Sequence, residues 1–318
     1  MEYGSKKSIN NNTMRNISVV LSAGGVKGAF QVGFLDALFD HGYYKNIECI
    51  SGTSIGAIVG AAACANKMKE AESYFLNHYE FEKNIVKYRN FFNPITYYDI
   101  YTKASIANLP LYRIMQNCGF SIHDVTNSPI KFFTCSTNIT RGTKHYVYNQ
   151  TSSAEQMYNG ILSSASIPFV FEPVRMFHKD YRSIRCIDGA LVEPIPIEIA
   201  VKNIQETEHI FVVCTLKEEE LSSIEDASSQ DYNIVAIAKR IINTVYSNTL
   251  RDDIRAFYNR QVNNHITFKN GKGKKLNYHF VFMPEDPYDS PLDFNVIKNK
   301  EVLQMGYDAG RDAILKLK

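Results

Sequence analysis

The sequence predicts an α/β fold, because strand-like apolar runs alternate with helical segments through most of the chain. With 318 residues, 45% of them hydrophobic, the chain is long enough for one large domain or two ordinary ones. It has no internal repeat and no clear linker. We therefore interpret 17–318 as one domain, preceded by a polar, Asn-rich segment at 1–16 that we expect to be disordered.

The first half of the chain supplies two strand–helix units and a hairpin. Val, Ile and Leu mark the buried strands, apolar residues recurring every three to four positions mark the helices, and Pro168 stops the last helix. Turn residues at 138–143 join two strands into the hairpin. The predicted elements are strands at 17–22, 47–51, 129–137 and 144–148, and helices at 29–39, 55–65, 69–79 and 153–166.

The second half continues the alternation. A short strand at 183–187 ends in Asp188-Gly189-Ala190, and Asp231 is placed to cap a long amphipathic helix. The Glu/Ser-rich stretch 217–230 and the basic turn 269–275 indicate solvated loops, although the basic turn also suits anionic lipid head groups. The other predicted elements are strands at 209–215 and 276–282 and helices at 197–203 and 295–317.

Composition narrows the classes of function. The formal net charge of +2 gives no indication of nucleic acid or of a strongly anionic partner. The six cysteines lack C-x-x-C spacing and several lie in strand-like runs, which favours buried, reduced thiols over disulfides. No apolar segment typical of a secretory signal precedes Ile17. We expect a cytoplasmic protein, with signal-independent export left open.

The stretch Gly52-Thr53-Ser54-Ile55-Gly56 forms a G-x-S-x-G pattern on the turn between a predicted strand and a predicted helix. Such a turn holds its serine in a strained conformation, and the two glycines leave room where strand and helix approach each other. Ser54 would project its hydroxyl from the end of the sheet. A plain structural turn is the alternative, because the pattern arises by chance in roughly one such chain in fifteen.

The glycine-rich loop Gly24–Gly28 opens a predicted helix and exposes backbone N–H groups to an anion. An oxyanion hole is one interpretation, because the serine turn follows after one helix and one strand. A tight turn and a dinucleotide site are the others, although the spacing is not G-x-G-x-x-G.

Two further segments bear on function. The aromatic stretch 81–115 suits the wall and lid of an acyl pocket, a membrane-facing patch or an ordinary core. Asp188 stands at the end of a strand and before a glycine, where it is either a turn residue or a side chain presented at the sheet edge.

Three motifs in this order resemble the patatin-like phospholipases: Gly24-Gly25-Val26-Lys27-Gly28, Gly52-Thr53-Ser54-Ile55-Gly56 and Asp188-Gly189-Ala190. The run Ser163–Pro168 and the sequence Pro194-Ile195-Pro196 are also similar to that family. The likeness covers the motif-bearing part 17–200, and the part 201–318, which matches only in general character, is expected to complete the domain. The resemblance implies a three-layer α/β/α sandwich with a mainly parallel central sheet.

The resemblance also implies a function, a lipid acyl hydrolase that acts on phospholipids or related acyl esters at a membrane surface. Ser54 would be the nucleophile and Asp188 the base of a Ser-Asp dyad, with backbone amides around Gly24, Gly25 and Gly28 as the oxyanion hole. Gly52 and Gly56 would shape the nucleophile elbow. No metal, cofactor or nucleic acid is implied, and no metal-ligand constellation is evident in the sequence.

Two residues depart from the family's pattern, and two other functions stay open. Lys27 stands where many members carry Arg, and Glu193 stands where many carry Asn. An α/β-hydrolase with a Ser-His-Asp triad is one alternative, because it also uses G-x-S-x-G. The histidines available to such a triad after Asp188 are His209, His265 and His279. A non-catalytic lipid-binding protein on the same fold is the other alternative.

Overall fold

The structure is a computed structural model, and it describes residues 16–77, 109–168, 171–178, 181–221, 244–245, 248–257, 269–288 and 295–317. The strands described are β1 Ile17–Leu21, β2 Ile47–Thr53, β3 Lys131–Asn138, β4 Thr143–Tyr148, β5 Val174–His178, β6 Tyr181–Asp188, β7 His209–Cys214 and β8 Asn277–Phe282. The helices described are α1 Gly28–Asp40, α2 Ile55–Cys64, α3 Met68–Leu76, α4 Leu109–Asn117, α5 Ile122–Thr126, α6 Ala154–Ser164, α7 Ile197–Asn203, α8 248–257 and α9 Val296–Leu315.

The strands form one sheet in the order β5-β6-β3-β2-β1-β7-β8, with β4 pairing with β3 as well. The five strands from β3 to β8 in this order are parallel, whereas β4, β5 and β6 join one end of the sheet in antiparallel pairs. The predicted α/β fold with a mainly parallel sheet is therefore confirmed. The carboxyl ends of the parallel strands share one edge, where loops of α/β proteins collect their functional residues. We call it the carboxyl edge.

Helices cover both faces of the sheet and make the three predicted layers. One face packs against α1, α2, α3, α6 and α9, and the other packs against α7 and α8. Successive side chains of a strand point to opposite faces, so Val19 and Val20 of β1, both fully buried, join different clusters. The strand residues of the first face include Leu21, Ile50, Phe132 and Phe211, and those of the second include Cys49, Phe133, Ile210 and Val212.

The part 201–318 is built into this architecture. Its strands β7 and β8 extend the sheet beyond β1, and α9 packs along α1. Tyr288 donates a hydrogen bond of 2.6 Å to Asn299 Oδ1, and Asn299 Nδ2 donates to the Phe75 carbonyl at 2.8 Å. These buried bonds fix the start of α9 against the end of α3.

Most predicted elements are present within a few residues of their predicted bounds. The exceptions are α4, α5 and β5, which the sequence did not predict. The residues of β5, Val-Arg-Met-Phe-His, alternate only briefly and belong to an edge strand. All six cysteines are buried and unbonded, as predicted. Among the described residues, no helix is both long and apolar enough to cross a membrane. The segment 1–15 and most of the predicted helix after Asp231 lie outside the described residues.

Candidate active site

Ser54 lies on the turn between β2 and α2, at the carboxyl edge. Its φ of 58° is left-handed, a conformation that a non-glycine residue adopts at a cost of about 1–3 kcal/mol and that is frequent at functional sites. The turn is sharp because α2 begins directly against the end of β1. A Cβ on Gly56 would lie 2.5 Å from the Leu21 carbonyl oxygen and 2.8 Å from that of Ser22. Only glycine fits there, which explains the second glycine of the motif.

Asp188 meets Ser54 because of the strand register. Thr53 of β2 pairs with Cys135 of β3, and the next residue of β3, Ser136, pairs with Asp188 at the end of β6. The Ser54 hydroxyl donates a hydrogen bond of 2.6 Å to Asp188 Oδ2. The other carboxylate oxygen accepts the Ala190 N–H at 2.8 Å. The two predicted dyad residues are therefore in direct contact, and each side chain is almost completely buried.

Burial changes the acid–base behaviour of Asp188. Loss of hydration disfavours the charged carboxylate and raises the pKa of Asp188 to about 7, against the smaller opposing effects of the hydrogen bonds from Ser54 and Ala190. A carboxylate with an ordinary pKa near 4 is a weak base. With its pKa close to neutrality, Asp188 can accept a proton near pH 7 and return it.

Ser164, in the last turn of α6, hydrogen-bonds the backbone of the turn that carries Ser54. Its hydroxyl accepts the Ser54 N–H at 2.9 Å and donates to the Cys135 carbonyl at 2.6 Å. The backbone amide of the predicted nucleophile is therefore already paired within the protein. The sequence indicated a family likeness in the run Ser163–Pro168 but no role for this serine, because nothing local in a helix end shows which distant amide it meets.

The glycine loop Gly24–Gly28 packs directly against the elbow. A 3-10 turn at Gly25–Lys27 leads into α1, with Gly25 at a left-handed φ of 61°. A Cβ on Gly28 would collide with the side chain of Ile55, the residue that follows Ser54. The loop that the sequence predicts as the oxyanion hole is thus brought to the serine that it would serve.

Lys27 connects the glycine loop to the segment that follows β8, the last strand of the sheet. Its ammonium group forms an ion pair with Asp286, in the segment after β8, and both side chains are largely buried. Just before the loop, the Ala23 N–H donates to the Pro194 carbonyl at 2.9 Å. Lys27, which stands where many family members carry Arg, therefore connects the loop to the segment after β8 through an ion pair.

Glu193, the other departure from the family's pattern, is a buried structural residue. Its carboxylate accepts a hydrogen bond of 2.9 Å from Lys144 Nζ and another from the Tyr146 hydroxyl. Its carbonyl accepts the Thr53 hydroxyl at 2.9 Å, and its N–H donates to the Gly189 carbonyl at 2.9 Å. Glu193 thus links the residue before Ser54 to the residue after Asp188.

The histidines proposed for a triad lie elsewhere. His209 begins β7, opposite Ile17 at the start of β1, whereas the serine follows the far end of the neighbouring strand. His209 Nδ1 is 3.0 Å from His279 Nε2, and burial together with the neighbouring ring lowers the pKa of His279 to about 4. Neither reaches Ser54. His265 and the aromatic stretch up to residue 108 lie outside the described residues.

Comparison with known proteins identifies related chains. The family model described as Patatin-like phospholipase matches residues 19–201. Triacylglycerol lipase 4 of Saccharomyces cerevisiae is 26% identical over 218 residues, which cover 58% of this chain and 23% of the lipase. Lysophospholipase NTE1 of Cryptococcus neoformans var. neoformans is 24% identical over 318 residues, covering 96% of this chain and 17% of that protein.

A solved structure is similar in part. Human GIVD cytosolic phospholipase A2 in complex with methyl gamma-linolenyl fluorophosphonate gives a TM-score of 0.43 at 9% identity, over 98% of this chain and 60% of that one. The chain spans about a quarter or less of the length of the two sequence relatives above.

Proposed function

This chain belongs to the patatin-like phospholipases, since their family model matches more than half of it, and we propose from that premise that it is a phospholipase A-type lipid acyl hydrolase. The observation that carries the proposal is the 2.6 Å hydrogen bond between Ser54 Oγ and Asp188 Oδ2 on a strained elbow. Ser54 is the proposed nucleophile and Asp188 the proposed general base.

The proposed reaction has two halves. In acylation, Ser54 Oγ attacks the ester carbonyl carbon while its proton passes to Asp188 Oδ2. The bond from the acyl carbon to the alcohol oxygen then breaks, and Asp188 gives the proton to that oxygen. In deacylation, Asp188 takes a proton from water as the water oxygen attacks the acyl carbon. The free fatty acid leaves as Ser54 Oγ regains the proton.

The tetrahedral intermediates carry a negative oxygen that needs fixed donors. We assign this role to backbone N–H groups of the loop at Gly24, Gly25 and Gly28, where one donor is typically worth ~10²–10³ in rate. The packing of the loop on Ile55 beside the elbow supports the assignment. The Ser54 N–H is already donated to Ser164, and the Gly28 N–H is donated to the Gly25 and Val26 carbonyls, so Gly28 would serve the oxyanion only by exchanging those partners.

The proposed substrates are acyl esters of phospholipids. The names of the two relatives, a triacylglycerol lipase and a lysophospholipase, support a glycerolipid ester as the bond that is cleaved. The proposed setting is the cytoplasm, with transient contact to a membrane surface. Six buried, unbonded cysteines suit a reducing compartment.

The test is fatty-acid release from mixed phospholipid vesicles without added metal. Ser54→Ala and Asp188→Asn are each expected to lower release on the order of 10⁴-fold, because dyad residues act as a unit. Asp36→Asn is the matched control, since Asp36 is another buried aspartate, on α1, whose pKa is also raised by burial. It should retain activity. Release that survives in Ser54→Ala, or that is lost equally in Asp36→Asn, contradicts the proposal.

A further inference from the structure

We propose that one exposed face of the β5–β6 hairpin docks the protein on an anionic phospholipid bilayer. The face consists of Phe177 and Ile139 with Arg175 and Arg185, and we call it the hairpin surface. The inference rests on the proposed function, because a hydrolase of bilayer lipids must bring Ser54 to the surface that holds its substrate.

The register places this hairpin beyond the carboxyl edge. β6 runs antiparallel to β3, with Asp188 opposite Ser136 and Cys186 opposite Asn138, the last residue of β3. The earlier residues of β6 therefore continue past the end of β3. At about 3.3 Å per residue, Arg185 lies roughly 10 Å beyond Asp188 along the strand. β5 follows it outward, since Arg175 pairs with Arg185.

The two faces of the hairpin differ in character. Val174 and Met176 of β5 are buried in the core with α6, whereas Arg175 and Phe177 alternate with them and point to the other face. Phe177 is 71% exposed. Exposed arginines on an edge strand can serve only to prevent its pairing with another chain. An exposed phenylalanine beside them favours association, so protection of the edge does not explain this combination. Exposed apolar groups next to basic ones are typical of membrane-surface elements.

The turn after β3 adds to the same surface. The Ile139 N–H donates to the Arg185 carbonyl at 3.0 Å, so the turn sits beside β6. Ile139 is 45% exposed, and Arg141, two residues on, is also exposed. Within the described part of the chain, Glu172, which precedes β5, is the exposed carboxylate near this group in the sequence, and Asp180, between β5 and β6, lies outside the described residues. Among the described exposed side chains here, the charged ones are thus mainly cationic, which complements an anionic leaflet although the formal net charge of the whole chain is only +2.

The experiment measures partition onto vesicles by sedimentation, in a Ser54→Ala background so that binding does not depend on hydrolysis. Vesicles of phosphatidylcholine with 30% phosphatidylserine are compared with vesicles of phosphatidylcholine alone. Leu315→Ser is the matched control. Leu315 is 65% exposed, but it lies in the last turn of α9. Gly306 of α9 packs on Phe30 and Gly310 packs on Ala37, so this helix runs away from the Gly28 end of α1 and ends away from the carboxyl edge.

The parent is expected to bind the anionic vesicles more tightly than the neutral ones. Phe177→Ser should lower the partition coefficient about tenfold on both. Replacing Arg175 and Arg185 together by Gln should lower it roughly 25-fold on anionic vesicles, about fivefold for each arginine, and little on neutral ones. Leu315→Ser should leave it unchanged. Urea unfolding midpoints of all variants check that the fold is kept.

Several results would overturn the docking surface. They are a parent that does not bind vesicles, hairpin variants that bind like the parent, or a Leu315→Ser effect as large as that of Phe177→Ser. Phe177→Ser that converts a dimer to a monomer without changing vesicle partition would instead assign this face to self-association. Because the assay uses an inactive background, failure of the ester hydrolysis proposed above would leave its outcome intact.

Discussion

Replacing Asp188 by Asn should stabilise the fold at neutral and alkaline pH while abolishing activity. In the wild type, burial raises the pKa of Asp188 from 3.8 to about 7, so the folded state binds this proton more tightly than the unfolded chain does. Folding then loses stability as the pH rises from about 4 to about 7, and the loss is complete above that range. Asparagine keeps the shape of the side chain and has no charge to bury.

The size of the effect follows from the two pKa values. Each pH unit between them corresponds to about 1.4 kcal/mol, so the full cost of ionising the buried Asp188 is about 4 kcal/mol. Between pH 5 and pH 8 the free energy of unfolding of Asp188→Asn should therefore rise by about 2–3 kcal/mol relative to the wild type. A hydrogen bond that the asparagine amide gains or loses changes the free energy of unfolding equally at pH 5 and pH 8. It therefore cancels in the difference between the two pH values.

The assay is urea unfolding of both proteins at pH 5 and pH 8, followed by far-UV circular dichroism because the chain has no tryptophan. An Asp312→Asn variant, with the change on the exposed side of α9, controls for the loss of one negative charge. A difference between Asp188→Asn and the wild type that is the same at both pH values, within about 0.5 kcal/mol, would refute the claim that a buried carboxyl group with a raised pKa lies beside Ser54.

Three further predictions concern the same site. The value of kcat/KM for a soluble ester should fall about tenfold for each pH unit below about 7 and level off above it, because Asp188 must be ionised to accept the serine proton; a rate that is flat down to pH 5 contradicts this role. Ser164→Ala should lower kcat and cost about 1–3 kcal/mol of stability, because the Ser54 N–H loses its buried acceptor, whereas Ser163→Ala, whose hydroxyl bonds Ser136 and Gly160, should lower stability alone. Gly56→Ala should cost several kcal/mol in urea unfolding and remove activity, since its Cβ meets two β1-end carbonyls; Gly142→Ala, in open space at a φ of 67°, should cost only about 1 kcal/mol.

The sequence predicted the parallel core of the fold because the signals there are local. Buried strands such as β1 and β7 are continuous apolar runs, and the helices between strands carry clear periodicity. At the antiparallel end of the sheet, the sequence predicted β4 and β6 but not β5. β5 alternates charged and apolar residues over five positions, and nothing in so short an edge strand distinguishes it from a loop.

The residues of the candidate site also divide into those that local motifs predicted and those that only long-range contacts reveal. Ser54 and the glycine loop carry local motifs, and the predicted Asp188 is brought to the serine by strand register. The contacts that hold the elbow join residues 110 and 140 positions apart, Ser54 with Ser164 and Thr53 with Glu193. No local pattern encodes such pairs. That is why Glu193, a departure from the family's pattern in the sequence, proves to be a link between the two sides of the site.

The most direct test of the central claim is covalent labelling of the protein with a long-chain fluorophosphonate, followed by peptide mass spectrometry. The account predicts that the label is on Ser54, that it is absent from Ser54→Ala, and that Asp188→Asn slows the reaction strongly. A label on another residue, or an unlabelled Ser54 in a protein that still releases fatty acid, would contradict it.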